Sequence, residues 1–113
     1  MPNRHALKLD ETSFSVIHRG LEYGPFDYEW SSDMRGVELT FRGAKFGEIC
    51  SQDEFFADLR EFGLPMRVVE VASIVMGCIV SHIGRGLSAD QRRALIERRL
   101  REFGCSNFVS GND

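Results

Sequence analysis

Three histidines, three cysteines and seventeen carboxylates are the side chains of this 113-residue chain most suited to ligate a metal or move a proton. His5, His18 and His82 stand far apart, and neither H-E-x-x-H nor C-x-x-C occurs, so no metal centre is expected. The G-x-S-x-G elbow, the Walker loop and the G-x-G-x-x-G fingerprint are also missing, which leaves no cofactor motif. Cys50, Cys78 and Cys105 are odd in number and form no close pair, the pattern of reduced thiols in a reducing compartment. Cys78, among Val and Ile, should be inert through burial. One acid/base arrangement survives, His18 and Tyr23 on one strand face with Glu48 brought to the same side of a sheet, against the alternative that His18 is a hydrogen-bonded core histidine.

That arrangement depends on two hairpins. "VIHRGLEYG" (Val16 to Gly24) aligns with "LTFRGAKFG" (Leu39 to Gly47) at an offset of 23 residues, sharing Arg-Gly, a charge, an aromatic ring and a closing Gly. Gly43 as the first residue of a two-residue type II′ turn would set Phe41 opposite Phe46, and in the first hairpin His18 opposite Tyr23. Val37, Leu39 and Phe41 then face inward, and Glu38, Thr40 and Arg42 outward. The same register puts Glu48 opposite Leu39 on the apolar face, unless Gly47 marks a bulge that turns Glu48 to water.

The second half predicts three helices. Ser51 and Glu54 form an S-x-x-E start, Gly63 and Pro65 end that helix, and a second runs from about Pro65 to Ile83. Ser88 and Gln91 open a third, and the tetrapeptide Arg-Glu-Phe-Gly closes both the first and the third. The second helix is apolar almost all round, yet it is too short to span a bilayer and contains Glu70. Its small residues Ser73, Gly77 and Ser81 invite close approach by the third helix, or by a second copy of the chain in a helix-mediated homodimer. On the third helix Asp90, Arg93, Glu97 and Arg101 form an ion ladder, while Arg92, Arg98 and Arg99 lie off it as a small basic patch.

The stretch "GLEYGPFDYEW" sets four rings, Tyr23, Phe26, Tyr28 and Trp30, among acids. Phe26, Tyr28 and Trp30 share one strand face, with Asp27 and Glu29 on the other. Facing inward they are a core strand; beginning at the irregularity of Pro25, they can instead form a contact strip for a peptide or protein. "FSVIHRGLEYGPFDYEW" resembles the opening of a GYF-type domain over Phe14 to Trp30, with Gly24, Pro25 and Phe26 as the matching motif. That resemblance implies a proline-rich peptide as ligand and Trp30 as a platform residue.

The expected fold is α+β: one domain over residues 1–113, with a four-stranded antiparallel sheet of two hairpins followed by three helices packed on one face, and with 1–11 and 106–113 as flexible tails. A net charge of -3 argues against nucleic acid, and "MPNRHALKLDET" lacks the apolar run of a secretory signal, which points to the cytoplasm and away from the membrane. The leading expectation is a non-enzymatic interaction module binding through Tyr23, Phe26, Tyr28 and Trp30. A small enzyme or ligand-binding protein with a sheet-helix crevice around His18, Tyr23 and Glu48 is the alternative. An adaptor using Arg92, Arg98 and Arg99 is third.

Overall fold

Alternating apolar residues and Arg-Gly turns do produce a meander, but with five strands. The computed structural model describes residues 5–30, 36–49, 51–81, 86–105 and 108, with the side chain of Glu48 excepted. Strands β1 (Ala6–Leu9), β2 (Ser13–His18), β3 (Leu21–Trp30), β4 (Val37–Phe41) and β5 (Ala44–Ile49) pair antiparallel in sequence order. The added strand, β1, lies inside the segment expected to be a tail; it pairs with β2 from Ala6↔Ile17 to Leu9↔Phe14 and buries Leu7. At the other end, Phe108 is fully buried.

Both hairpins turn one residue earlier than expected. His18 pairs with Leu21 and Phe41 with Ala44, so the loops are Arg19-Gly20 and Arg42-Gly43. Their φ values, 54° and 78° in the first and 51° and 80° in the second, are nearly the same, with both loop residues left-handed as in a type I′ turn rather than II′. Arginine therefore occupies a position that glycine or asparagine usually takes, and the twist of the strands selects the turn over the side chain's own preference.

Each hairpin then breaks register near the glycine that ends the repeat. In β2–β3 the pairing passes from Val16↔Tyr23 to Phe14↔Phe26, and in β4–β5 from Thr40↔Lys45 to Leu39↔Gly47, leaving Phe46 in a bulge with Gly47 at φ +78°. Gly24 follows from close approach: a Cβ there would lie 2.9 Å from Ser15 Cβ and 3.0 Å from Ser15 Cα. The following peptide, Gly24-Pro25, is cis.

One sheet face carries the core. Phe14, Phe26 and Phe41 are cross-strand neighbours on β2, β3 and β4 and stack as a row, with ring centres 4.8 Å and 4.3 Å apart. Helix α1 (Gln52–Arg60) sets Phe55 edge-on to Phe26 at 6.1 Å and to Phe46 at 5.9 Å. Helix α2 (Met66–Ser81) is buried on nearly every side, from Val68 and Val69 to Cys78 and Ile79, between the sheet, α1 and α3 (Ala89–Glu102). Ser51 caps α1 by accepting from Glu54 N at 3.2 Å, and Ser88 and Gln91 form a reciprocal capping box on α3. The repeated Arg-Glu-Phe-Gly does end both helices, with Gly63 and Gly104 left-handed at φ +73° and +76°.

The small-residue stripe of α2 is divided: α1 approaches it at Gly77, while Ser81 lies beside Leu95 and Arg98 of α3. A Cβ on Gly77 would meet Gln52 Cβ at 2.9 Å, so the first turn of α1 lies there; Ser81 turns its hydroxyl to Gly77 O at 2.6 Å. His82 lies outside the described residues. Among them, no helix is long and apolar enough to cross a membrane.

Candidate ligand-binding crevice

The aromatic strip of β3 divides along its length. Phe26 is 0% exposed and Tyr28 4%, because both face the helices; Tyr23, opposite Val16, is half-buried against the core. Trp30, at the strand end, is 40% exposed and meets Tyr28 edge-on at 6.0 Å. A continuous contact surface of four rings is therefore replaced by two core rings, one at the core margin and one at the surface. The physical reason is the stack just described: Phe26 sits between Phe14 and Phe41 and cannot also face a partner.

His18 and Glu48 are not brought together either. Glu48 pairs with Glu38, not with Leu39: the earlier turn moves its partner by two residues and the Phe46-Gly47 bulge moves it back by one. His18 is on β2, three strands away, half-buried beside His5 and Phe108. Tyr23 pairs with Val16 instead of His18, a consequence of the earlier turn.

A sheet-helix crevice does exist elsewhere. It opens between the β1–β2 turn (10–12) and the first two turns of α3, encloses about 620 Å³, and is lined by Leu9, Asp10, Glu11, Thr12, Tyr28, Leu87, Ala89, Asp90, Arg92, Arg93 and Ile96. Its floor is assembled in layers. Tyr28 N donates to Thr12 O at 2.8 Å and Asp10 N to Ser13 O at 2.9 Å, holding the turn down on β3. The Tyr28 phenol then donates to Glu11 O at 3.0 Å. From α3, Arg92 Nη1 reaches the same carbonyl at 3.3 Å and the phenol oxygen at 3.5 Å. Burial pushes the Tyr28 phenol above its ordinary value, with the hydrogen bond and charge of Arg92 opposing, so it stays a neutral hydrogen-bonding group across the physiological range.

This geometry redistributes the supposed basic patch. Arg92 points into the crevice, while Arg98 and Arg99 both engage Glu102, at 3.4 Å and 3.5 Å. Of the ladder, Glu97 and Arg101 meet at 3.8 Å. Arg67 pairs with Glu70 at 3.3 Å and also donates to the Cys105 thiol at 3.3 Å. Cys78 and Cys105 are buried thiols outside any disulfide; burial, partly offset by Arg99, pushes Cys78 up to about 11, and burial also raises Cys105. Cys50 lies outside the described residues.

Sequence reasoning placed Tyr28 and Arg92 in two different hypotheses. Nothing local in the sequence joins them, since Tyr28 belongs to the aromatic strip of β3 and Arg92 lies off the ion ladder of α3. Chemically the crevice offers a cation and a phenol over an apolar floor of Leu9, Leu87 and Ile96, with carboxylates of Asp10, Glu11 and Asp90 on its walls. No protein-family model, curated protein or solved structure matches the chain.

Proposed function

We propose that this chain is a small ligand-binding domain whose site is the crevice between the β1–β2 turn and α3. The observation that supports this most is the convergence of Tyr28 and Arg92 on one carbonyl within a recess lined by both apolar and charged side chains. Its volume of about 620 Å³ lies within the range typical of small-molecule sites. A ligand fitting it is small and partly apolar, accepts a hydrogen bond from Arg92, and carries a donor for Asp10 or Asp90. The interaction-module reading now rests on Trp30 with Tyr23 at its margin, a much smaller surface than four rings.

The test is a fragment screen of amino-carboxylate and aryl-carboxylate compounds against the ¹⁵N-labelled chain. Hits are expected to shift amides of residues 9–12 and 87–96 and to lose at least about tenfold in affinity in Arg92→Ala, as removal of a charged hydrogen-bond partner would cause. Hits that cluster at Trp30 and ignore Arg92→Ala would return the domain to the peptide-binding reading.

A further inference from the structure

The pairing of β1 with β2 does something that no spacing in the sequence announces: it makes His5 and His18 cross-strand neighbours. Ala6 pairs with Ile17, so the next step of the ladder sets the two histidines side by side, with their Nδ1 atoms 3.3 Å apart. Both rings are half-buried, and the fully buried Phe108 backs them, edge-on to His5 at 5.3 Å and stacked on His18 at 6.2 Å. Phe108 is itself tied down by its N–H to Cys105 O at 3.1 Å.

Two imidazole nitrogens at this separation have two physical explanations. One is a neutral N–H···N hydrogen bond, which prefers both rings to aim along the N···N line; at 3.3 Å that would hold ring centres about 5.7 Å apart. The other is a shared cation. Zinc bonds to imidazole nitrogen at about 2.0–2.1 Å, and a tetrahedral angle between two such bonds separates the nitrogens by about 3.3–3.4 Å and the ring centres by about 5.2 Å. The observed ring centres are 5.1 Å apart with the planes 42° to each other, which fits lone pairs converging on a point beside the line better than a collinear bond. A square-planar ion would need the nitrogens closer, at about 2.8–2.9 Å, so the geometry favours zinc over copper.

We propose that His5 and His18 form a two-histidine site for a tetrahedral divalent cation, zinc by its geometry, held through both Nδ1 atoms at the Phe108 end of the sheet. Among the described residues no third histidine, cysteine or carboxylate completes a cluster with them. The site is separate from the crevice: β2 runs between them, its Ser13 end at the crevice turn and its His18 end at the histidine pair.

The experiment titrates the full ¹⁵N-labelled chain with Zn²⁺ alone and reads histidine ring nitrogens by long-range ¹H–¹⁵N correlation, with Mg²⁺ at the same concentration as the hard-cation control. One equivalent of Zn²⁺ is expected to move Nδ1 of His5 and of His18 together, and Mg²⁺ neither. His5→Gln and His18→Gln should each weaken Zn²⁺ at least about tenfold, and the double variant little further, since either loss breaks the chelate. Two single variants are used so that a folding failure in one still leaves the other as a test; His82→Gln should bind as the parent does. Shifts at Nε2 only, shifts confined to His82, or affinity kept within about twofold in a folded single variant would each overturn the proposal and leave a hydrogen-bonded pair only.

Discussion

Truncating Phe26 and Trp30 in parallel tests whether the aromatic stretch is divided as described. Phe26 is fully buried, stacked on Phe14 at 4.8 Å and on Phe41 at 4.3 Å, with Phe55 edge-on at 6.1 Å. Phe26→Ala removes the transfer free energy of the ring and leaves a void of about 100 Å³, which at about 24 cal/mol per Å³ costs some 2 kcal/mol by itself. Each lost ring pair adds about 0.5–1.5 kcal/mol beyond area. With partial relaxation the total falls near 4–5 kcal/mol, the upper part of the range for Phe→Ala. Trp30, 40% exposed and touching Tyr28 at its edge, should cost only about 1 kcal/mol. Urea unfolding followed by far-UV circular dichroism serves both variants, since Trp30→Ala removes the only tryptophan fluorophore. A chain of this size holds about 5–15 kcal/mol in all, so Phe26→Ala should be barely folded and Trp30→Ala nearly normal. If the two differ by less than about 1 kcal/mol, Phe26 is not the centre of the stack and the four rings act as one surface.

Four further outcomes follow from particular contacts. Gly24→Ala, which drives a Cβ to 2.9 Å from that of Ser15 at φ +146°, should lower stability by about 2 kcal/mol, seen as a fall in Tm of roughly 8 °C in calorimetry. Tyr28→Phe should cost about 1 kcal/mol, and because the folded phenol titrates above its unfolded value of 10.0, parent stability is full below pH 10 and declines as pH rises beyond it; that component of the alkaline decline should vanish in the variant. Cys78, with its thiol at about 11 instead of 9.0, should alkylate about a hundredfold more slowly at pH 8 than the same peptide unfolded, as resolved by peptide mass mapping. Gly77→Leu should destabilise by about 2–3 kcal/mol through displacement of Gln52 and leave the sedimenting mass unchanged, because Gly77 faces the first turn of α1.

The helices were legible because their signals are local. Capping residues, the Arg-Glu-Phe-Gly stops and the breadth of apolar positions on α2 each act within a turn or two, so a single reading frame finds them. The strand Val37–Phe41 was equally plain from its alternation. Errors began where one residue of register matters. Placing Gly43 first in its turn, the position glycine ordinarily favours, shifted the cross-strand partners by two, so that Phe41 meets Ala44 and not Phe46, and Arg42 accepting φ 51° had no local sign. The bulge at Phe46-Gly47 then takes back one of those two residues, which is why Glu48 meets Glu38 and neither Val37 nor the expected Leu39. β1 is four residues of weak alternation whose stability comes from β2, so it had no pattern of its own to show. Both candidate sites inherit that omission: the crevice is walled by the turn that β1 creates, and the histidine pair exists only through β1.

The duplicated hairpin explains why the sites lie where they do. Two copies of a turn and a bulge bend a five-stranded meander so that one face closes over Phe55 and α2, while the other keeps Asp27, Glu29, Glu38 and Lys45 in water. A sheet committed in this way has little freedom left in its centre for function, since Phe14, Phe26 and Phe41 fill it. Side chains with chemistry to offer are pushed to the margins, where the helices stop covering the strands: Tyr28 under the start of α3, Trp30 at the end of β3, and His18 beside Phe108 past the end of α3. β2 joins two of these margins, and over Ser13 to His18 a strand spans about 17 Å. At that distance changes at the crevice and at the histidine pair should add independently, and β2 is the element that would carry any coupling between them.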